Sequence, residues 1–157
     1  MNTAGRRGSV LNLQWADVDF ENRWVVFRKT KSGKPVGVPM TGHCLQTFLE
    51  LREARDRMIA QPPTDYVFIK DDGTPRKLNN VSAAFRKLCK LAGIVDFHFH
   101  DLRHDCGTKL RKAGVPLAEI KDWMGHSDIS MTLRYAHACG DSGLRDAAKR
   151  LEQVRER

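Results

Sequence analysis

Residues 18–40 read VDFENRWVVFRKTKSGKPVGVPM, and this stretch decides the fold. Val18–Phe20 and Trp24–Phe27 are two short apolar runs around a polar turn, which is the pattern of a hairpin. The segment Lys29–Lys34 forms a second polar turn in which Gly33 can adopt a positive φ. Because Val36–Met40 then resumes the alternation, the stretch predicts a three-stranded antiparallel sheet with Lys31 at its edge.

Helical patterns flank the sheet on both sides. Before it, Val10, Leu11 and Leu13 predict a helix that ends near Trp15. After it, a long amphipathic helix runs from Thr41 until the Gln-Pro-Pro stop at residues 61–63. Glycines end most of the remaining predicted helices, which are Val81–Ala92, His100–Ala113, Leu117–Met124, Met131–Ala138 and Leu144–Val154. The predicted fold class is α+β, mainly α-helical with one small antiparallel sheet.

The composition favours a polyanionic partner. The 157 residues contain 27 Lys and Arg against 19 Asp and Glu, so the formal charge is +8, the balance expected of a protein that binds nucleic acid. With 41% hydrophobic residues, the chain can bury one core, and we expect one compact domain. The sequence lacks both an apolar stretch of membrane-spanning length and a signal-peptide core, which predicts a cytoplasmic protein without membrane contact.

Large aromatic side chains and cysteines predict a packed core with reduced thiols. The aromatic residues that fall on apolar faces are Trp15, Trp24, Phe48, Phe85 and Trp123. The four cysteines lack Cys-x-x-Cys spacing, which argues against a zinc ribbon and against a disulfide framework. His98, His100 and His104 lie close in sequence, but no cysteine or carboxylate completes a metal-ligand spacing. We therefore expect no metal site.

Reactive side chains are concentrated towards the C-terminal end. In His100-Asp-Leu-Arg-His104, His100 and Arg103 are three residues apart in a helical pattern, so one phosphate could touch both. Gly125-His126 and then Tyr135 follow. A base, a guanidinium, a second imidazole and a phenol are a set that suits attack on a phosphodiester.

Five sequence elements together carry a family resemblance. They are Thr3-Ala-Gly-Arg-Arg-Gly8, Thr30-Lys-Ser-Gly33, His100-Asp-Leu-Arg-His104, Met124-Gly-His126 and Arg134-Tyr-Ala-His137. In this order they resemble the catalytic domain of the tyrosine recombinases, the phage-type integrases, over nearly the whole chain. The resemblance implies a site-specific enzyme that acts on double-stranded DNA. Such an enzyme cleaves and rejoins strands through a 3′-phosphotyrosyl intermediate.

The resemblance also implies which residues form the active site: Arg6, Lys31, His100, Arg103, His126 and Tyr135. The two arginines would hold the nonbridging phosphate oxygens, because a planar guanidinium matches phosphate geometry. Tyr135 would be the nucleophile, His100 the acceptor of its proton, Lys31 the general acid and His126 a hydrogen-bond donor to the phosphate. Because the phosphotyrosine retains the bond energy, neither ATP nor a metal is required, and we expect no cofactor.

Some assignments have alternatives. Arg7 could replace Arg6, and Lys31 could be one of several phosphate-backbone contacts. The other predicted DNA-binding residues are Arg7, Arg28, Lys29 and Lys34. His104 is predicted to be structural.

The chain also departs from the family pattern. The first arginine motif of the family usually reads Thr-Gly-x-Arg-x-Gly-Glu, whereas this chain has Ala4 and Ser9. Family members carry a helical core-binding domain and further helices before this motif, so we expect residues 1–157 to be an N-terminally truncated catalytic domain. A catalytically inactive DNA-binding remnant of an integrase, such as a decayed prophage would leave, is the alternative. An apolar stripe on the last helix, between residues 144 and 154, predicts docking on its own domain or on a second copy.

Overall fold

The structure is a computed structural model that describes residues 3–58 and 64–139 and the single positions 145, 148, 151 and 152. Two compact units make up the chain, Met1–Cys106 and Gly107–Arg157. The boundary falls within helix α4, which spans Asp101–Lys112. That residues 1–157 act as a single catalytic domain stays a prediction.

The first unit contains the predicted three-stranded antiparallel sheet. Its strands are β1 (Val18–Asp19), β2 (Trp24–Phe27) and β3 (Val36–Pro39), in the order β1-β2-β3. Val25 pairs with Val18 on one side and with Val38 on the other. Val25 and Val38 are fully buried, and Gly33 has a φ of 74° in the turn between β2 and β3. The sequence pattern therefore predicted both the pairing and the turn correctly.

Among the predicted core aromatics, the prediction is wrong for Trp24, because 41% of it is exposed. Trp15, Phe85 and Trp123 are half-buried. Successive strand residues point to opposite faces, and β2 directs Val25 and Phe27 inward, so Trp24 faces outward. Its ring covers the backbone of Gly37 on β3, where an added Cβ would lie 2.4 Å from the indole Nε1. The core prediction holds for Phe48, which is buried.

Three helices lie wholly within the first unit. They are α1 (Arg7–Leu11), α2 (Gly42–Asp56) and α3 (Leu78–Leu91). Thr41 caps α2, because its side-chain oxygen accepts a hydrogen bond from the Cys44 backbone N–H at 3.2 Å. A short 3₁₀ helix, Trp15–Asp17, leads into β1. At the start of α4, the Asp101 carboxylate accepts a hydrogen bond from the His98 backbone N–H at 2.6 Å.

The second unit contains α5 (Leu117–Met124) and α6 (Ser130–Leu133), followed by a 3₁₀ helix, Ala136–Cys139. The prediction of one continuous helix over Met131–Ala138 is therefore wrong. Around Tyr135 the backbone makes bonds between residues three apart, Tyr135 N–H to Thr132 C=O at 2.9 Å and Ala138 N–H to Tyr135 C=O at 3.0 Å. These bonds tighten the chain into 3₁₀ turns.

The predicted C-terminal helix, Leu144–Val154, lies outside the described residues except at positions 145, 148, 151 and 152, which are helical. Its docking stays a prediction. Among the described residues, no helix is long and apolar enough to cross a membrane.

Candidate active site

Arg103 is the most deeply buried candidate residue of the first unit. Only 5% of it is exposed, and its guanidinium donates a hydrogen bond to the backbone carbonyl of Ala4. Ala4 is itself buried and has a φ of 50°, a left-handed conformation that costs a residue with a Cβ roughly 1 kcal/mol. Glycine adopts this conformation freely, which gives a physical reason for the glycine that the family pattern places here. Arg103 thus anchors the segment that leads to Arg6.

The two neighbouring arginines have different positions. Arg6 is half-buried and precedes α1 in an extended conformation, with φ −63° and ψ 141°. Arg7 is the first residue of α1, and its guanidinium donates a hydrogen bond to the Ser82 hydroxyl of α3. Arg7 therefore helps to join α1 to α3. This packing role favours Arg6 over Arg7 as the candidate phosphate ligand.

His100 lies immediately before α4 and is exposed. Its ring meets that of His104 edge-on, with 4.7 Å between the ring centroids. The carboxylate of Asp101 lies 3.5 Å from Nδ1 of His98. The hydrogen bond from the His98 backbone is the largest cause that lowers the pKa of Asp101 below its ordinary value.

Over residues 3–58 and 64–139, His, Cys, Asp and Glu side chains form no group of three that could hold a metal ion.

Lys31 projects from the turn between β2 and β3 and is exposed. The turn is closed by the Thr30 hydroxyl, which donates to the Lys34 carbonyl at 2.7 Å, and by the Gly33 N–H, which donates to the Thr30 carbonyl at 3.2 Å. A side chain on such a turn can extend towards a bound ligand.

The other cations predicted to contact DNA differ in their surroundings. Arg28 forms an ion pair with the buried Asp17, and the Lys29 Nζ lies 5.9 Å from the centroid of the Tyr66 ring. Lys34 is exposed, like Lys31. Arg28 therefore has an intramolecular partner, whereas Lys34 presents its charge to solvent.

A cavity of about 950 Å³ lies within the first unit. Apolar side chains such as Leu13, Phe48 and Phe85 form much of its wall. Its arginines and histidines are Arg7, His43, Arg86, His98, His100 and Arg103, and among the described residues no Asp or Glu lines it. This distribution favours an anionic group near His100 and Arg103. Arg6 and Lys31 are not among the lining residues.

His126 is positioned by the end of α5. Gly125 has a φ of 59°, and the N–H groups of Gly125 and His126 donate to the carbonyls of Asp122 and Lys121, both at 3.0 Å. These two bonds form a Schellman motif. The imidazole is buried, and its Nδ1 lies 2.8 Å from the Thr132 hydroxyl oxygen. The backbone thus places the ring, and a side chain from the next helix contacts it.

Tyr135 is buried, with 3% exposed. An added Cβ at Gly107 would lie 2.7 Å from the Tyr135 Cζ, 2.9 Å from its Cε1 and 3.0 Å from the Met124 Sδ. The tyrosine ring therefore occupies space that only a glycine at position 107 leaves open.

Four residues that contact the candidate arginines, histidine and tyrosine were not predicted as their partners from the sequence: Ala4, Ser82, Gly107 and Thr132. Gly107 carried a usable signal, because a glycine inside a helical pattern often marks a close approach. The other three carry no local pattern that identifies their partners.

Gly107→Ala is expected to displace the Tyr135 ring. We expect unfolding to become easier by about 1–3 kcal/mol, as for other overpacked cores. Gly42→Ala is the matched control, because Gly42 is also helical and an added Cβ there meets nothing within 4 Å. Thermal unfolding of both variants measures the difference. Equal stability of the two variants would show that the ring has room to move.

Comparisons with known proteins agree with the motifs. The model of the phage integrase family matches residues 1–140. The integrase of Salmonella phage P22 is 29% identical over 98% of this chain, and a putative integrase/recombinase of Haemophilus influenzae is 33% identical over 83% of it. The chain covers only 41% and 39% of the lengths of these two relatives.

Solved structures have the same fold. The XerA recombinase is 28% identical with a TM-score of 0.77, over 94% of this chain and 53% of that chain. The Tn1549 transposon integrase, in complex with transposon right end DNA, is 28% identical with a TM-score of 0.77, over 96% of this chain and 55% of that chain. Because the family match spans most of the sequence and includes all six candidate residues, this chain belongs to the phage integrase family.

Proposed function

We propose that this chain is the catalytic domain of a tyrosine recombinase, which cleaves and rejoins double-stranded DNA at specific sites. The observation that carries the proposal is the family match over residues 1–140, which contains the full set from Arg6 to Tyr135. The structure of the Tn1549 integrase, with transposon right end DNA bound, supports DNA as the substrate. As part of the same proposal, the protein acts in the cytoplasm on a bacterial or phage-derived genome.

The main chemical difficulty is the negative charge of the phosphodiester. Charge builds up on the nonbridging oxygens in the transition state, and preorganised cations stabilise it more than they stabilise the ground state. Arg103 suits this role because its side chain is already held by the Ala4 carbonyl. Arg6 would supply the second guanidinium.

The Tyr135 hydroxyl oxygen is the proposed nucleophile. It forms a bond to phosphorus while the bond from phosphorus to the 5′ oxygen breaks, which leaves a 3′-phosphotyrosyl protein and a free 5′ hydroxyl. A phenol with a pKa near ~10 is protonated at neutral pH, so a base must accept its proton. We assign this role to His100, and assign to His126 a hydrogen bond to the phosphate.

The leaving 5′ oxygen must gain a proton. Lys31 is the proposed donor, since it is exposed on its turn and its flexible side chain can extend to a duplex. The second strand-transfer step is the reverse of the first. A 5′ hydroxyl attacks the phosphotyrosine, and its proton restores the general acid while Tyr135 regains its own. Each phosphodiester bond that is broken is thus replaced by another, and no cofactor is consumed.

Covalent trapping tests the proposal directly. A duplex with a nick next to the scissile phosphate loses its short 5′ hydroxyl fragment after cleavage, so the phosphotyrosine cannot be resealed. The probe is a pool of nicked duplexes of random sequence, which requires no chosen target site, and adducts are scored on denaturing gels. A folded parent chain that binds the pool but forms no adduct would favour the inactive DNA-binding remnant.

Lys31→Ala is expected to slow cleavage of ordinary DNA by about 10²- to 10⁴-fold, the usual contribution of a general acid. The rate should be largely recovered when sulfur replaces the 5′ bridging oxygen, because a thiolate leaves without a proton. Lys34→Ala removes the same charge from the same turn. Any loss that it causes should not be recovered by sulfur. Equal recovery in both variants would show that Lys31 acts only through its charge.

A further inference from the structure

Thr132 makes a buried contact with one of the candidate residues. Its side chain has no solvent exposure, and its hydroxyl oxygen lies 2.8 Å from Nδ1 of His126, which is 8% exposed. Both residues belong to the second unit. The backbone carbonyl of Thr132 also accepts the hydrogen bond from the Tyr135 N–H at 2.9 Å. Thr132 thus contacts both candidate residues of this unit.

The backbone holds this contact in place from both sides. The Schellman motif at the end of α5 sets the position of His126. The chain then turns at Asp128, whose carboxylate accepts a hydrogen bond from the Ser130 N–H at 2.6 Å. The Thr132 N–H bonds to the Ile129 carbonyl at 2.8 Å. These main-chain bonds place Thr132 next to the imidazole, where its hydroxyl oxygen contacts Nδ1.

The burial of this hydroxyl indicates the direction of the hydrogen bond. Within the part of the chain that the structure describes, the Thr132 hydroxyl has His126 Nδ1 as its one hydrogen-bond partner. A buried O–H without an acceptor is unfavourable, so the hydroxyl donates and Nδ1 accepts. In a neutral imidazole the proton then resides on Nε2.

We propose that Thr132 is a positioning residue that keeps His126 in the Nε2–H tautomer, so that Nε2 donates a hydrogen bond to a nonbridging oxygen of the scissile phosphate. The inference rests on the proposed function, in which His126 contacts that phosphate. With the opposite tautomer, Nε2 would present a lone pair to an anion, and the interaction would be repulsive.

The imidazole tautomer can be measured without any DNA reaction. Nitrogen-15 NMR of the His126 ring in the full chain at neutral pH distinguishes Nδ1–H from Nε2–H by their chemical shifts. We expect the Nε2–H form in the parent chain and in Thr132→Ser, and a mixture of tautomers in Thr132→Val. An Nδ1–H ring in the parent chain would overturn the inference, whatever the cleavage assay shows.

The rate of adduct formation on the nicked duplex pool provides the second measurement. We expect Thr132→Val to slow adduct formation in the bound complex by on the order of tenfold, as for other residues that orient a histidine, with DNA affinity unchanged. Thr132→Ser should recover most of the rate. Thr74→Val is the matched control, because Thr74 also loses a hydroxyl hydrogen bond, to Asp72 at 2.6 Å, but lies in an exposed loop.

The two measurements separate the possible failures. A parental adduct rate in a folded Thr132→Val overturns the inference and leaves the proposed function standing. If the parent chain forms no adduct, the proposed function fails, and the NMR comparison alone decides whether Thr132 sets the tautomer. If Thr132→Val does not fold, the parent tautomer and the Thr132→Ser rate still decide.

Discussion

Tyr135→Phe is expected to abolish the covalent adduct with nicked duplex DNA while noncovalent binding stays nearly unchanged. The substitution removes the nucleophilic oxygen and keeps the ring that packs against Gly107. No charge is lost, so contacts with phosphates should persist. The measurement combines denaturing gels for the adduct with a binding assay under native conditions.

The chain contains one other tyrosine, which provides a matched control. Tyr66→Phe also removes a phenolic oxygen but keeps the ring that faces Lys29, and it should form the adduct at the parental rate. An adduct that persists in Tyr135→Phe would show that another residue is the nucleophile. An adduct that disappears in both variants would point to a general loss of structure.

Arg103→Ala is expected to damage both cleavage and stability. Loss of a guanidinium that stabilises the transition state should lower the rate of adduct formation by at least about 10²- to 10³-fold. The same substitution removes the donor to the buried Ala4 carbonyl, and an unsatisfied buried acceptor costs about 1–3 kcal/mol. Thermal unfolding and adduct formation should therefore both change.

Arg103→Lys separates the two effects, because lysine keeps the charge but lacks the planar pair of donors. We expect it to recover part of the stability and little of the cleavage rate. Arg57→Ala is the control for loss of charge, since Arg57 is exposed and forms a surface pair with Glu53 at 3.8 Å. An Arg103→Ala protein that melts and cleaves like the parent would contradict both roles.

The sequence by itself determined the elements whose causes are local. The sheet over residues 18–40 follows from alternation of apolar residues and from a turn that contains Gly33. Likewise, α5 ends at Gly125 because glycine adopts the left-handed conformation without strain. The order of the motifs indicated the family, which the match over residues 1–140 confirmed. The signals for the sheet and for the end of α5 lie within a few residues of the structure that they predict, whereas the family signal depends on motifs from Thr3 to His137.

Only the tertiary structure decided how the candidate residues are held. Arg103 and Ala4 are 99 residues apart in sequence, and Arg7 and Ser82 are 75 apart, so no local periodicity connects them. The contact between Gly107 and the Tyr135 ring depends on the path of the chain between them. The helix predicted through Tyr135 was interrupted by 3₁₀ turns that the helical pattern did not indicate. Side-chain partners far apart in sequence are selected by packing and by the need to satisfy buried polar groups, and both are set only when the chain has folded.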